Sequence, residues 1–267
     1  MKADQIKISL IQADLAWEQT AENLAHFDRL LAQVPQDSEI VVLPEMFSTG
    51  FTMAVQNLRK PVGKEAFIWL QKRAAYFNKI LVGSILTEEN QHYFNRMFWM
   101  RPDGSFDSYD KRHLFHMGDE HRVMTAGHKR QIIKYNGRRF LLQICYDLRF
   151  PVWSRNTYDP KTEIYDYDAL IYIANWPQSR RQAYLSLLKS RAIENQSLVI
   201  WVNRVGQDFH RNWHTGDSQI IDAKGNILTK SEAGKEMVNS FSLDFKTLDY
   251  FRNDFKVGLD WDKFNIF

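Results

Sequence analysis

Of 267 residues, one is cysteine, Cys145. A lone thiol excludes a disulfide within the chain and fits a reducing compartment. Glycine and proline are sparse, at 12 and 7 residues, and no Ser/Gly-rich or single-sign stretch marks a linker. With no internal repeat either, residues 1–267 are expected to form one continuous domain. No apolar run reaches the roughly 18 residues of a membrane span. The opening "MKADQIKISLIQADLAW" lacks a long apolar core followed by small residues, the pattern of a secretory signal. The expectation is a cytoplasmic protein that meets no membrane. Net charge is only +3, and the basic residues are scattered, as in "RPDGSFDSYDKRH". That gives no support for a nucleic acid partner.

What is present alternates between two periods. "IKISLIQADL" places Ile6, Ile8 and Leu10 at every second position, as in a strand. "TAENLAHFDRLLAQV" has Leu24, Phe27, Leu31 and Val34 on one stripe, and predicts a helix with Thr20 as its N-cap. "EIVVLPE" and "KILVGSIL" are solidly apolar, the pattern of strands buried on both faces. Between them "KEAFIWLQKRAAYF" returns to helical spacing through Phe67, Leu70, Ala74 and Phe77. A strand-rich middle comes next, with Asp103-Gly104 and Asn136-Gly137 as hairpin signals. Then come "DALIYIANW", a helix over "RQAYLSLLKSRAIENQ", "LVIWVNRV", and a hairpin turning at Lys224-Gly225-Asn226. About eleven strands are too many for one covered sheet, so the prediction is α/β, with two packed sheets between helical layers.

Three reactive side chains fall at the ends of strand patterns. Glu45 follows "IVVLP", where open α/β sheets place ligands and catalytic groups. Lys111 ends "SFDSYDK", and Cys145 ends "RRFLLQIC", before a polar turn entering a helix. Each has a plainer reading: a strand-ending acid in solvent, a surface lysine, an inert core thiol. A nucleophile on a strand-to-helix turn, however, stands near backbone N–H groups that hold an oxyanion. Such a thiol is only a few per cent ionised at neutral pH and needs a neighbouring base or cation.

Taken together, "LPEMF", "YDKRHLF" and "ICYDLRFP", with "IANWP", "SRAIENQ" and "GDSQIIDAKG" after them, resemble the nitrilase, or carbon–nitrogen hydrolase, superfamily. The resemblance runs from about residue 5 to 245. It implies a four-layer α-β-β-α sandwich and a catalytic Glu45–Lys111–Cys145 triad without metal or organic cofactor. It makes Glu45 the general base, and Lys111 with the backbone N–H of Tyr146 the oxyanion donors. Glu120, in "MGDEHRVMTAG", matches a second glutamate that orients Lys111 and the amide nitrogen. The chain departs from many relatives in having "LLQ" where they carry glycine before the cysteine block, and Val152 where they continue with glutamate.

"KRHLFHMGDEHRVMTAG" and the ending "YFRNDFKVGLDWDKFNIF" are most similar to the bacterial omega-amidase branch. That branch implies a terminal amide of a short 2-oxo acid, 2-oxoglutaramate or 2-oxosuccinamate, as substrate. Nitrile, N-carbamoyl amine and deaminated glutathione substrates are the superfamily alternatives. A small anion needs a cationic pocket end, for which Arg149 is one candidate, its plainer reading being a structural arginine that bonds the turn's carbonyls or a neighbouring acid; Trp176 reads equally as a pocket wall or a core side chain, and Phe115 and Met117 are candidates to narrow the site. Arg191 and Glu194 are expected to form a structural ion pair. The aromatic tail, about 246–267, carries Phe251, Phe255, Trp261, Phe264 and Phe267, and should dock on the body or on a second subunit of the implied homodimer. Two rival readings are a non-catalytic binding protein on the same scaffold, and a metal hydrolase using His113, His116, His121, Asp119 and Glu120, whose spacing matches no strong zinc motif.

Overall fold

Two six-stranded mixed sheets lie face to face. The computed structural model describes residues 3–263. In the first sheet, β1 (Gln5–Gln12), β2 (Ile40–Val42) and β3 (Ile80–Glu89) run parallel. β4 (His92–Met100) and β5 (Phe106–Asp110) extend it antiparallel. In the second sheet β6 (Gln131–Tyr135) pairs antiparallel with β7 (Arg138–Ile144). Two short strands, β8 (Tyr158–Asp159) and β9 (Ile164–Tyr165), form a separate ribbon. β10 (Ala169–Ala174) lies parallel between β7 and β11 (Leu198–Asn203). A second ribbon pairs β12 (Val205–Gln207) with β13 (Trp213–Thr215), and β14 (Gln219–Ile221) and β15 (Ile227–Lys230) finish the second sheet. β16 (Met237–Asp244) returns to the first sheet beside β1. The described residues thus hold sixteen strands, not eleven; the four ribbon strands are too short to show a period, and β16, at the edge of its sheet, buries only Leu243 and so carries no strand pattern.

The layers follow from which faces are apolar. Ile8, Leu10, Val42, Val82 and Trp99 of the first sheet meet Phe140, Leu142, Ile171, Ile200 and Ile220 of the second in the central core. Outside the first sheet, α1 (Thr20–Leu31) and α2 (Lys64–Phe77) cover Val41, Leu81 and Phe98. Outside the second, α5 (Arg181–Glu194) sets Tyr184 and Leu188 against Leu170 and Trp201. This is the expected α-β-β-α order. Two four-residue helices, α3 (Glu120–Val123) and α4 (Pro151–Ser154), lie in loops at the strand ends. Asn136 and Gly137, both at positive φ, make the β6–β7 hairpin as their sequence predicts. Thr20 does not cap α1: Gln19 holds the cap position without a side-chain bond, and Thr20 is already helical.

The last helix, α6 (Phe245–Asp254), buries Phe245, Leu248 and Arg252. Arg252 bonds Asp168 at 2.7 Å and donates to the carbonyls of Gln196 and Tyr167. Phe251 packs on the central core, and the Trp261 ring meets Tyr165 and the Arg155 guanidinium. Phe255 is exposed; Phe264 and Phe267 lie outside the described residues.

Candidate active site

Glu45, Lys111 and Cys145 come just after β2, β5 and β7, at one end of the two sheets. A strand in a covered sheet must turn where its pairing stops, so its next residues face the crevice beyond the sheet edge. Glu45 and Glu120 are fully buried, and Lys111 lies between them. Lys111 Nζ donates to Glu45 Oε1 at 2.9 Å and to Glu120 Oε1 at 3.0 Å. Burial alone would lower the lysine pKa, but the charges of Glu120 and Glu45 outweigh it and hold the ammonium protonated. For Glu120, burial pushes the carboxyl up, Lys111 draws it down and Glu45 raises it again. Its Oε2 also accepts the backbone N–H of Phe115 at 2.6 Å, fixing the loop after Lys111.

Cys145 has φ +44°, a left-handed backbone rare for a side chain of this kind. Strain of this sort persists only where surroundings enforce it. Here Asp147, fully buried, takes four hydrogen bonds. Its Oδ2 accepts from Ile144 N at 3.0 Å and Tyr109 Oη at 2.8 Å. Its Oδ1 accepts from His113 N at 3.0 Å and His113 Nδ1 at 2.7 Å. Arg191 pins the same turn from α5, donating to Leu148 O at 2.7 Å while pairing with Glu194 at 2.9 Å. The expected ion pair exists, and its arginine also reaches the nucleophile turn. That turn is a 3₁₀ segment over Cys145–Arg149, followed by the single turn α4. Burial and the nearby Glu45 carboxylate push the Cys145 thiol well above its ordinary range, with Lys111 pulling the other way.

Asn95, in β4, and Asn175, after β10, carried no signal in the sequence. Asn95 Nδ2 donates to Glu45 Oε1 at 2.8 Å and Glu120 Oε1 at 3.2 Å, so one amide braces both carboxylates. Asn175 donates its backbone N–H to Glu45 Oε2 at 2.7 Å and its side-chain N–H to the Glu45 carbonyl. Asparagines are common in loops and strand ends. Only the approach of β4 and of the end of β10 to Glu45 in three dimensions distinguishes these two.

Cys145 and Lys111 open into a pocket of about 730 Å³, of the size that holds a small molecule. Tyr146, Phe115, Met117, Trp176 and Arg149 line it as well. Trp176 is both things expected of it, a core side chain and a pocket wall. Phe115 is half-buried, whereas Met117 is largely exposed at the mouth. The Arg149 guanidinium lies over the Trp176 ring at 5.0 Å. The residues of the metal reading are engaged otherwise: His113 bonds Asp147, His116 and His121 stack on each other at 4.0 Å between ring centres, and Glu120 holds Lys111. Among the described residues no three His, Cys, Asp or Glu side chains converge as metal ligands.

Residues 7–253 match the family profile of carbon–nitrogen hydrolases. The chain is 40% identical over 259 residues to an omega-amidase, YafV, of Yersinia enterocolitica, covering 97% of this chain and 98% of that one. It is 33% identical over 232 residues to a 2-oxoglutaramate amidase of Bacillus subtilis (strain 168), covering 86% of each. Among solved structures it is similar to XC1258 of Xanthomonas campestris, a CN-hydrolase superfamily protein with an arsenic adduct in its active site. The TM-score is 0.94 at 36% identity, over 99% of this chain and 100% of that one.

Proposed function

The chain belongs to the carbon–nitrogen hydrolase family, and from that premise we propose that it is a cysteine-dependent omega-amidase, cleaving the terminal amide of 2-oxoglutaramate or 2-oxosuccinamate to a dicarboxylate and ammonia. The observation that carries the reading is the buried Glu45–Lys111–Glu120 cluster at the same pocket as the only thiol. The relatives named omega-amidase and 2-oxoglutaramate amidase support the substrate class.

In this reading the resting thiol keeps its proton. When an amide carbonyl enters, Glu45 takes that proton as the sulfur–carbon bond forms. The negative charge moves to the carbonyl oxygen, where Lys111 Nζ and the Tyr146 backbone N–H meet it. Each such donor is worth roughly 3 kcal/mol of barrier. Glu45 returns the proton to nitrogen, the carbon–nitrogen bond breaks, and ammonia leaves a thioester on Cys145. Water then gives its proton to Glu45, attacks the thioester, and releases the acid with the reprotonated thiol. Glu120 positions Lys111 throughout. The chemistry needs no cofactor. We place the enzyme in the cytoplasm, as its unpaired thiol suggests, acting as a homodimer for which exposed Tyr250 and Phe255 at α6 offer apolar surface.

Ammonia release from 2-oxoglutaramate, set against a nitrile, an N-carbamoyl amine and deaminated glutathione, tests the assignment. The 2-oxo acid amide should be the preferred substrate, and Cys145→Ala should abolish its turnover. Sustained turnover by that variant removes Cys145 from the mechanism; preference for another class removes the omega-amidase reading.

A further inference from the structure

Arg180, which the sequence did not single out, lines the same pocket and lies over the Phe115 ring at 5.3 Å. We propose that Arg180 joins Arg149 in a two-arginine clamp for the carboxylate and adjacent oxo group of the substrate, and so sets the preference for anionic over neutral amides. The proposal rests on the omega-amidase reading for the identity of the anion, not for its charge.

The observation behind it is a pair of uncommitted cations. Other arginines around the pocket are occupied: Arg181 holds Asp217 through two bonds of 2.8 and 2.7 Å, and Arg204 holds Asp14 at 2.6 Å. Among the described residues Arg149 and Arg180 make neither a side-chain hydrogen bond nor an ion pair, although both are half-buried. The acids that line the pocket are engaged elsewhere. Glu18 accepts from Thr52 and Asn57, Asp119 pairs with Arg122, and Asp208 accepts from Asn212. Two like charges facing one cavity repel each other, and a partly buried guanidinium without an acceptor is unfavourable. An anion relieves both costs.

The geometry also suits the ligand. A guanidinium held over an aromatic ring can still offer two parallel N–H bonds to a carboxylate. A 2-oxo acid presents three oxygens in one plane, more than a single edge satisfies. Arg149 leaves the nucleophile turn itself, and Arg180 lies on a 3₁₀ turn just before α5. They therefore approach from different elements. Phe115, beneath Arg180, is tied by its N–H to Glu120, which fixes that side of the clamp relative to Lys111.

The test compares kcat/KM for 2-oxoglutaramate with that for pentanamide, a neutral amide of the same length, in wild type, Arg180→Gln and Arg180→Lys. The ratio of the two should fall at least tenfold in Arg180→Gln and recover in part in Arg180→Lys, with the change in KM rather than kcat. A ratio within twofold of wild type overturns the clamp. A second readout requires no turnover: protection of Cys145 from iodoacetamide by 2-oxoglutarate. The half-protecting concentration should rise at least tenfold in Arg180→Gln, and an unchanged one also overturns the clamp. If wild type releases no ammonia from 2-oxoglutaramate while protection still depends on Arg180, the substrate assignment fails and the anion site stands.

Discussion

Replacing Asp147 by asparagine exchanges one carboxylate oxygen for an NH₂ group and upsets the match of donors to acceptors beneath the nucleophile. Each oxygen now accepts two bonds, one of them from a backbone N–H: Ile144 on one side, His113 on the other. The Tyr109 hydroxyl can rotate and the His113 ring can change tautomer, but a main-chain N–H can do neither. Whichever way the new amide turns, one backbone donor faces another donor. An orphaned buried donor costs about 1–3 kcal/mol, and the remaining bonds lose their charge assistance. The total is about 3 kcal/mol, a fall in Tm of about 6–12 °C for a chain of this size. The strained φ of Cys145 loses its restraint as well, so kcat should drop at least tenfold at a temperature where the variant is still folded. Thermal unfolding by circular dichroism and ammonia release on the same preparation supply both numbers. A Tm within about 2 °C of wild type would refute the account of the nucleophile turn.

Lys111→Met leaves two fully buried carboxylates with no cation between them, which should cost about 3–5 kcal/mol of stability as well as activity. Urea unfolding measures this, and a loss below about 1 kcal/mol would contradict the charge arrangement. His214, in the pocket wall, is held down to about 4 by burial and then by Arg204. The fold keeps this ring neutral while the unfolded chain protonates near 6.5, so its stabilising contribution is complete above about 6.5 and declines as pH falls toward about 4. Between pH 7 and 5 that amounts to about 2 kcal/mol. His214→Asn should flatten the Tm–pH curve across this window; parallel curves for the two proteins would rule it out.

The parallel strands and the helices over them were legible because their apolar spacing is local. So were Glu45, Lys111 and Cys145, each ending a strand pattern, and the order of their blocks pointed to the family. Asn95, Asp147 and Asn175 were not: each acts through a partner that the sheets bring from elsewhere in the chain, 50 residues away for Asn95 and Glu45 and 130 for Asn175 and Glu45. Arg180 differs again. Beside Arg181 it reads as one of two ordinary surface charges, and only the bonds of Arg181 to Asp217 reveal which of the pair is left over. The Thr20 cap failed because the chain enters α1 one residue earlier than the side-chain chemistry suggests.

A sulfur that keeps its hydrogen until a carbonyl arrives also reacts more slowly with peroxide and stray electrophiles than a thiolate would, since they attack the ionised form. This matters more here than in most enzymes. The chain holds no other cysteine to rescue a sulfenic acid as an internal disulfide. Burial, together with the acid that primes the nucleophile for catalysis, thereby also shelters it between turnovers.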